Sequence, residues 1–148
     1  MGTVMVVLEN SVDIARPPEQ VFDYLSDLRN KKEWNPKMRS VLLLTGEPIG
    51  RGTKYRARWA GSPDNVVEYT AFDRPHEWAS VADSKMMVVR FSARVTPVAT
   101  GSRLDVRMEL VPHGPLRLLQ PLLHRWMQAQ EVDNMRSIKT TMESLAAR

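Results

Sequence analysis

The sequence predicts an α+β fold: a seven-stranded antiparallel sheet wrapped around one long C-terminal helix, with two short helices between the first and second strands. Three observations carry that prediction. Apolar and polar residues alternate with a period of two across residues 37–112, broken by turn residues, as strands with one wet and one buried face require. Met135, Ile138, Met142 and Leu145 then recur at helical spacing on one face. A sheet with one buried face needs a cover, and only the last helix is long enough to provide it.

The elements follow in order. Residues 3–15 alternate around Val4, Val6, Leu8, Val12 and Ile14, with Glu9, Ser11 and Asp13 between them, which is a half-buried strand. Ala15-Arg16-Pro17-Pro18 breaks it, and Pro17 or Pro18 followed by Glu19 starts a helix whose apolar stripe is Val21, Phe22 and Leu25. Ser26-Asp27 caps a second short helix through Leu28 and Trp34, which Asn35-Pro36 ends. Strands are expected at 38–45, 52–60, 65–73, 76–83, 85–97 and 102–111. The turns between them are Gly46–Gly50, Gly61–Asp64, Arg74-Pro75, Asp83-Ser84 and Ala99–Ser102. In the last strand Leu104, Val106, Met108 and Leu110 alternate with Arg103, Asp105, Arg107 and Glu109. The final helix begins at Pro115 or at Pro121, and a loosely anchored start would act as a lid, a rigid one as a plain connector. Carried backwards at 100° per residue, its apolar face takes in Asn134, Glu131, Met127, His124, Leu123 and Leu116.

Composition narrows the function. The 148 residues suit one domain over 1–148, large enough to bury a core without staples. The absence of cysteine excludes disulfides, thiolate nucleophiles and Cys-based metal sites. The N-terminus lacks the pattern of a signal peptide, and no apolar run approaches a membrane span, so the expected location is the cytoplasm. Lys and Arg number 21 against 17 Asp and Glu, a net charge of +4, but the charges are scattered. The densest run, Lys54-Arg56-Arg58, alternates with Tyr55, Ala57 and Trp59 as the solvent face of a strand does, so no nucleic-acid partner is expected.

Several segments together resemble the START/Bet v 1-like superfamily, also called SRPBCC, with its helix-grip fold. They are the run from Ala15 to Asp27, Glu33-Trp34-Asn35-Pro36, Gly50-Arg51-Gly52-Thr53-Lys54-Tyr55, Phe72-Asp73-Arg74-Pro75 and Gly101-Ser102-Arg103-Leu104. The first is the most specific, and the resemblance covers nearly the whole chain. It is strongest to bacterial proteins described as polyketide cyclase/dehydrase or lipid-transport-like. The resemblance implies a hydrophobic cavity between sheet and C-terminal helix, and a ligand such as a lipid or polyketide. It also admits a cyclase or dehydratase working in that cavity without metal or nucleotide cofactor, and a toxin-type or regulatory protein acting through a partner.

The residues themselves give a candidate lining. Trp34, Tyr55, Trp59, Tyr69, Trp78, Phe91, Met108, Leu123 and Met127 fall mostly on inward-reading positions. They either pack a closed core or offer flat rings and adaptable thioethers to a ligand. Trp126 reads inward with them. Gln130, Glu131 and Asn134 lie where leucine would serve a closed core. They must pair internally, face water in a cavity, or contact a ligand, unless the helix is rotated by about one residue and leaves Glu131 outside. His76, His113 and His124 stand apart from one another without metal or nucleophile spacing, so no metal is expected and no catalytic residue is named. No GxSxG elbow is present, and the glycine-bearing loop 46–52 lacks GK[ST], so it reads as a hairpin loop.

Overall fold

The computed structural model describes residues 5–145. Strands and helices follow in the expected order, the seven strands being β1 (Val6–Ile14), β2 (Met38–Leu43), β3 (Lys54–Trp59), β4 (Asn65–Asp73), β5 (Glu77–Asp83), β6 (Met87–Val98) and β7 (Gly101–Pro112). Helix α1 spans Pro18–Leu25, a 3-10 turn spans Leu28–Glu33, and a second 3-10 turn over Gly114–Leu119 leads into α2, Gln120–Leu145. The expectation for Val4 lies outside the described residues.

The strands form one antiparallel sheet in the order β1-β7-β6-β5-β4-β3-β2. Consecutive strands from β2 to β7 are neighbours, and β1 closes the far side by pairing with β7, Val6 opposite Leu110 and Ile14 opposite Ser102. The period-two pattern sets the faces. Leu104, Val106 and Leu110 of β7 are buried, whereas Arg103, Asp105 and Arg107 are exposed. Lys54, Arg56 and Arg58 are likewise exposed on the outer face of β3. Charges on that face pair across strands, Arg103 with Asp13 at 2.9 Å and Arg94 with Glu77 at 3.0 Å.

Pro18 stands in the first turn of α1, where its missing N–H costs nothing. Asp27 caps the 3-10 turn as expected, accepting from the Arg29 amide at 3.0 Å. The long helix starts at Gln120, so of the two candidate prolines Pro121 marks the α-helical start and Pro115 opens a 3-10 turn. Its far end is tied down by Arg16, whose Nε and Nη2 donate to the carbonyls of Met142 (3.2 Å) and Glu143 (2.8 Å). A guanidinium on the carbonyl end of a helix complements the helix dipole as well as its orphan acceptors.

Gly101 opens β7 at φ +142°, and a Cβ there would stand 2.4 Å from the Ile14 carbonyl oxygen. Only glycine allows the β6–β7 turn to press so closely on the end of β1.

Candidate ligand-binding interior

The apolar interior falls into two clusters. The larger contains Ile14, Val21, Phe22, Trp34, Met38, Tyr55, Tyr69, Trp78, Met135, Ile138 and Met142 and joins α1, the sheet and the C-terminal half of α2. The smaller joins Val6, Leu8, Leu110 and Leu123 beneath the start of α2. Between them lies a polar belt. Asn10 of β1 and Gln128 of α2 bond reciprocally at 2.9 and 3.4 Å, Glu131 is buried, and Asn134 Nδ2 donates to Glu131 Oε1 at 2.9 Å.

Around that belt, side chains that face inward are incompletely covered. Val89 and Phe91 of β6, Met108 of β7, Trp59 of β3, and Met127, Gln130 and Asn134 of α2 are only half-buried. Strand alternation and helix phase point them all toward the space between sheet and α2. The apolar ones pack against one or both of the buried clusters, with part of each side chain still reached by solvent.

The aromatic positions separate into two groups. Trp34, Tyr55, Tyr69 and Trp78 are buried in the larger cluster. Trp78 meets Phe22 edge-on at 5.3 Å, and Tyr55 lies 5.5 Å from Tyr69. The polar ends of the two tyrosines are used within the chain. The Tyr69 hydroxyl donates to the Ser26 carbonyl, and the Tyr55 hydroxyl lies 3.4 Å from Asp27 Oδ1. Burial, then the nearby Asp27 charge, pushes Tyr55 up to about 12, and burial drives Tyr69 upward as well. Burial also pushes Asp27 up, but hydrogen bonds from Arg29 outweigh it and hold the carboxylate below its ordinary value. The two tyrosines thus hold the Ser26-Asp27 corner from which the 3-10 turn departs. Trp59, Phe91, Met108 and Met127 form the second group, half-buried against the two clusters, and Leu123 is buried in the smaller one.

The inner stripe of α2 is narrower than the sequence suggested. Leu123, Glu131, Met135, Ile138 and Met142 are buried, but His124 is exposed. Trp126, which reads inward in the sequence, is 58% exposed and carries the Lys37 ammonium 5.4 Å above its ring. Near the helix start the buried positions follow steps of four, so a position one residue away is already 100° round the helix.

One polar residue at this interior was missed by sequence reasoning. Lys31, on the 3-10 turn, places its ammonium 5.3 Å from the ring centroids of both Trp34 and Trp59. Desolvation lowers its pKa, opposed by the charge of Glu131. In the sequence it is the first of a Lys31-Lys32 pair and looks solvated. The available signal was Trp34 three residues on, which a 3-10 turn stacks beneath it.

Two surface concavities lie elsewhere. One of about 710 Å³ is on the outer face of the sheet, over Ala79 and Ser92 and rimmed by Glu9, Arg94 and Arg107. Another of about 450 Å³ adjoins Arg16, Asp23 and Tyr24 beside Leu145. Arg107 and Arg94 of the first are already paired with Glu9 and Glu77, and Asp23 of the second with Arg74 at 2.7 Å. Among the described residues no group of three or more His, Cys, Asp or Glu could hold a metal ion, and no helix is long and apolar enough to cross a membrane.

A seven-stranded antiparallel sheet closed by one long C-terminal helix, with two short helical segments after the first strand, is the helix-grip fold of the START and Bet v 1 proteins. The chain belongs to the polyketide cyclase/dehydrase and lipid transport family, whose model matches residues 5–143. That family binds hydrophobic ligands. Among solved structures, the chain is similar to a START superfamily protein from Mycobacterium smegmatis, with a TM-score of 0.81 at 14% identity, over 94% of this chain and 98% of that one. It is also similar to the ZhuI aromatase/cyclase from Streptomyces sp. R1128, with a TM-score of 0.75 at 14% identity over 94% of each chain. Identities this low speak to the fold alone. Uncharacterised proteins of Mycobacterium bovis and Mycobacterium tuberculosis are 25% identical over 115 residues, covering 76% of this chain. The chain spans 62% of the length of those relatives.

Proposed function

We propose that this protein binds a hydrophobic small molecule, lipid or polyketide-like, in the space between the sheet and α2. The observation that carries the reading is the set of inward-facing but half-buried side chains: Trp59, Val89, Phe91, Met108 and Met127. A closed core would cover them. A ligand that removes about 200–300 Å² of apolar surface from water there gains ~5–8 kcal/mol before the costs of association. Gln130, Glu131 and Asn134 supply the few polar groups that orient such a ligand. Trp34, Tyr55, Tyr69, Trp78 and Leu123 form the wall behind it.

Trp59 gives the test. Its emission should change saturably as long-chain fatty acids, sterols or fused-ring aromatic ketones are titrated in, and the response should fade in Trp59→Phe. Absence of saturable binding across all three classes, by fluorescence and by calorimetry, contradicts the reading.

A second reading, a cyclase or dehydratase, has an observation of its own. A buried carboxylate, Glu131, and an ammonium, Lys31, interact electrostatically across the same interior. Such a pair suits removal of a proton beside a carbonyl and support of the oxygen charge that results. Catalysed exchange of the α-protons of a bound ketone in deuterated water, followed by NMR and lost in Glu131→Gln, supports the enzyme. Binding without exchange leaves a carrier.

A further inference from the structure

The three most exposed large apolar side chains among the described residues stand together. Leu118, in the 3-10 turn before α2, is 85% exposed, and Leu122 and Trp126 follow at steps of four, 61% and 58% exposed. Leu122 and Trp126 share a face of α2, to one side of the buried Leu123, and Leu118 precedes them by one turn. Single exposed leucines are ordinary on a protein surface, whereas a run of them on one face marks a contact.

The charge around this face has one sign. Residues 113–130 contain Arg117 and Arg125 and neither Asp nor Glu. Lys37 holds its ammonium 5.4 Å above the Trp126 ring. The tip of the β5–β6 hairpin brings Lys85 alongside, because the His113 amide donates to the Met86 carbonyl at 2.9 Å. None of these four cations is in an ion pair with a described residue, whereas Arg94, Arg103 and Arg107 on the sheet are all paired. Two acids border the face. Asp83 contacts His113 at 3.2 Å, and Asp133 ends the apolar run about 10 Å further along α2.

Unpaired cations around apolar side chains that stand clear of the surface suit one kind of occupant. A second copy of this chain would set the same cations against one another. Leucines that project into solvent enter a fluid apolar layer without needing matched pockets. An indole settles at the boundary of such a layer, and arginine stems lie along it with their guanidinium groups on phosphate.

We infer that the 3-10 turn and the first turns of α2 dock this chain on an anionic lipid surface. Leu118, Leu122 and Trp126 enter the boundary of the acyl layer, and Arg117, Arg125, Lys37 and Lys85 meet the headgroups. The docking is independent of what the interior holds, so it stands if the ligand-binding reading fails.

Co-sedimentation of the full chain with vesicles tests it, comparing phosphatidylcholine alone with an equimolar mixture of phosphatidylcholine and phosphatidylserine. The chain should bind the mixed vesicles, lose that binding as salt rises, and leave pure phosphatidylcholine in solution. Each cation at such a surface contributes about fivefold, so Arg117→Glu with Arg125→Glu should weaken binding about 25-fold. Leu122→Ser with Trp126→Ala should weaken it about tenfold. Arg56→Glu with Arg58→Glu makes the same charge change on the outer face of β3 and should cost far less. Brominated acyl chains should quench tryptophan emission in the wild type and much less in Trp126→Phe. A chain that ignores the mixed vesicles overturns the proposal, as does equal binding to both kinds of vesicle. Equal losses from the two arginine pairs, or quenching that survives in Trp126→Phe, overturn the assignment to this face. A lipid-free dimer dispersed by Leu122→Ser with Trp126→Ala gives the face to a second copy and overturns the lipid. The wild-type salt dependence and quenching decide the matter even if a variant does not fold.

Discussion

Replacing Tyr55 by phenylalanine tests how the corner that carries the 3-10 turn is held. The side chain is fully buried, and its hydroxyl lies 3.4 Å from Asp27 Oδ1. Burial and the Asp27 charge raise it from 10.0 in the unfolded chain to about 12 in the folded one. Below pH 10 both states keep the proton, and the interaction contributes in full. Between 10 and about 12 the unfolded chain releases the proton while the folded chain holds it, so stability falls as pH rises. The full difference corresponds to about 2–3 kcal/mol, of which about 1.4 kcal/mol is lost by about pH 11. Tyr55→Phe has nothing to ionise there. Near pH 8 it should be less stable than wild type by about 0.5–1 kcal/mol, the worth of one long hydrogen bond. Near pH 11 the order should reverse. Urea denaturation followed by far-ultraviolet circular dichroism across that range measures both curves. If they run parallel to about pH 11, the Tyr55 hydroxyl is not buried against Asp27 and the corner is held by other means.

Other perturbations have equally definite outcomes. Arg16→Ala removes the two bonds to the Met142 and Glu143 carbonyls, at 3.2 and 2.8 Å, and should cost about 1–2 kcal/mol, seen as a Tm lower by roughly 3–6 °C. Gly101→Ala forces a Cβ to within 2.4 Å of the Ile14 carbonyl oxygen and should destabilise by about 2–4 kcal/mol in chemical denaturation. Lys31→Met tests the partial desolvation of the ammonium that lies over the two indoles. Because desolvation lowers the folded-state pKa below 10.5, the unfolded chain binds more protons just under that value, and wild-type stability gains as pH rises through it. The variant should lack that gain, so denaturation curves compared at about pH 8 and about pH 10.5 should show the wild type closing on it or pulling ahead. An unchanged difference places the ammonium in water.

The sheet was legible because its chemistry is local. Leu104, Val106, Met108 and Leu110 alternate with charged residues in strict register, and only one face of β7 is buried. Gly-Pro-Asn-Asp turns marked the strand ends to within a few residues. The interior was less legible because it depends on distant partners. Tyr55 and Tyr69 read as part of a ligand lining or a closed core, but Ser26 and Asp27, brought over them by α1, take their hydroxyls. Trp126 and Met127 are adjacent in sequence, yet Trp126 faces out and Met127 faces the inner space, a rotation that periodicity alone resolves poorly near a helix start. Lys31 gave no sign of burial in a run of charged residues. Only packing against Trp34 and Trp59 sets it apart from Lys32.

The central claim is that the space between the sheet and α2 holds a hydrophobic molecule. Native mass spectrometry of the purified full chain tests it most directly, with organic extraction to identify any bound species and re-addition of the extract. The account predicts a stoichiometric adduct that extraction removes and re-addition restores. A bare chain, unchanged after incubation with fatty acids, sterols and aromatic ketones, contradicts it.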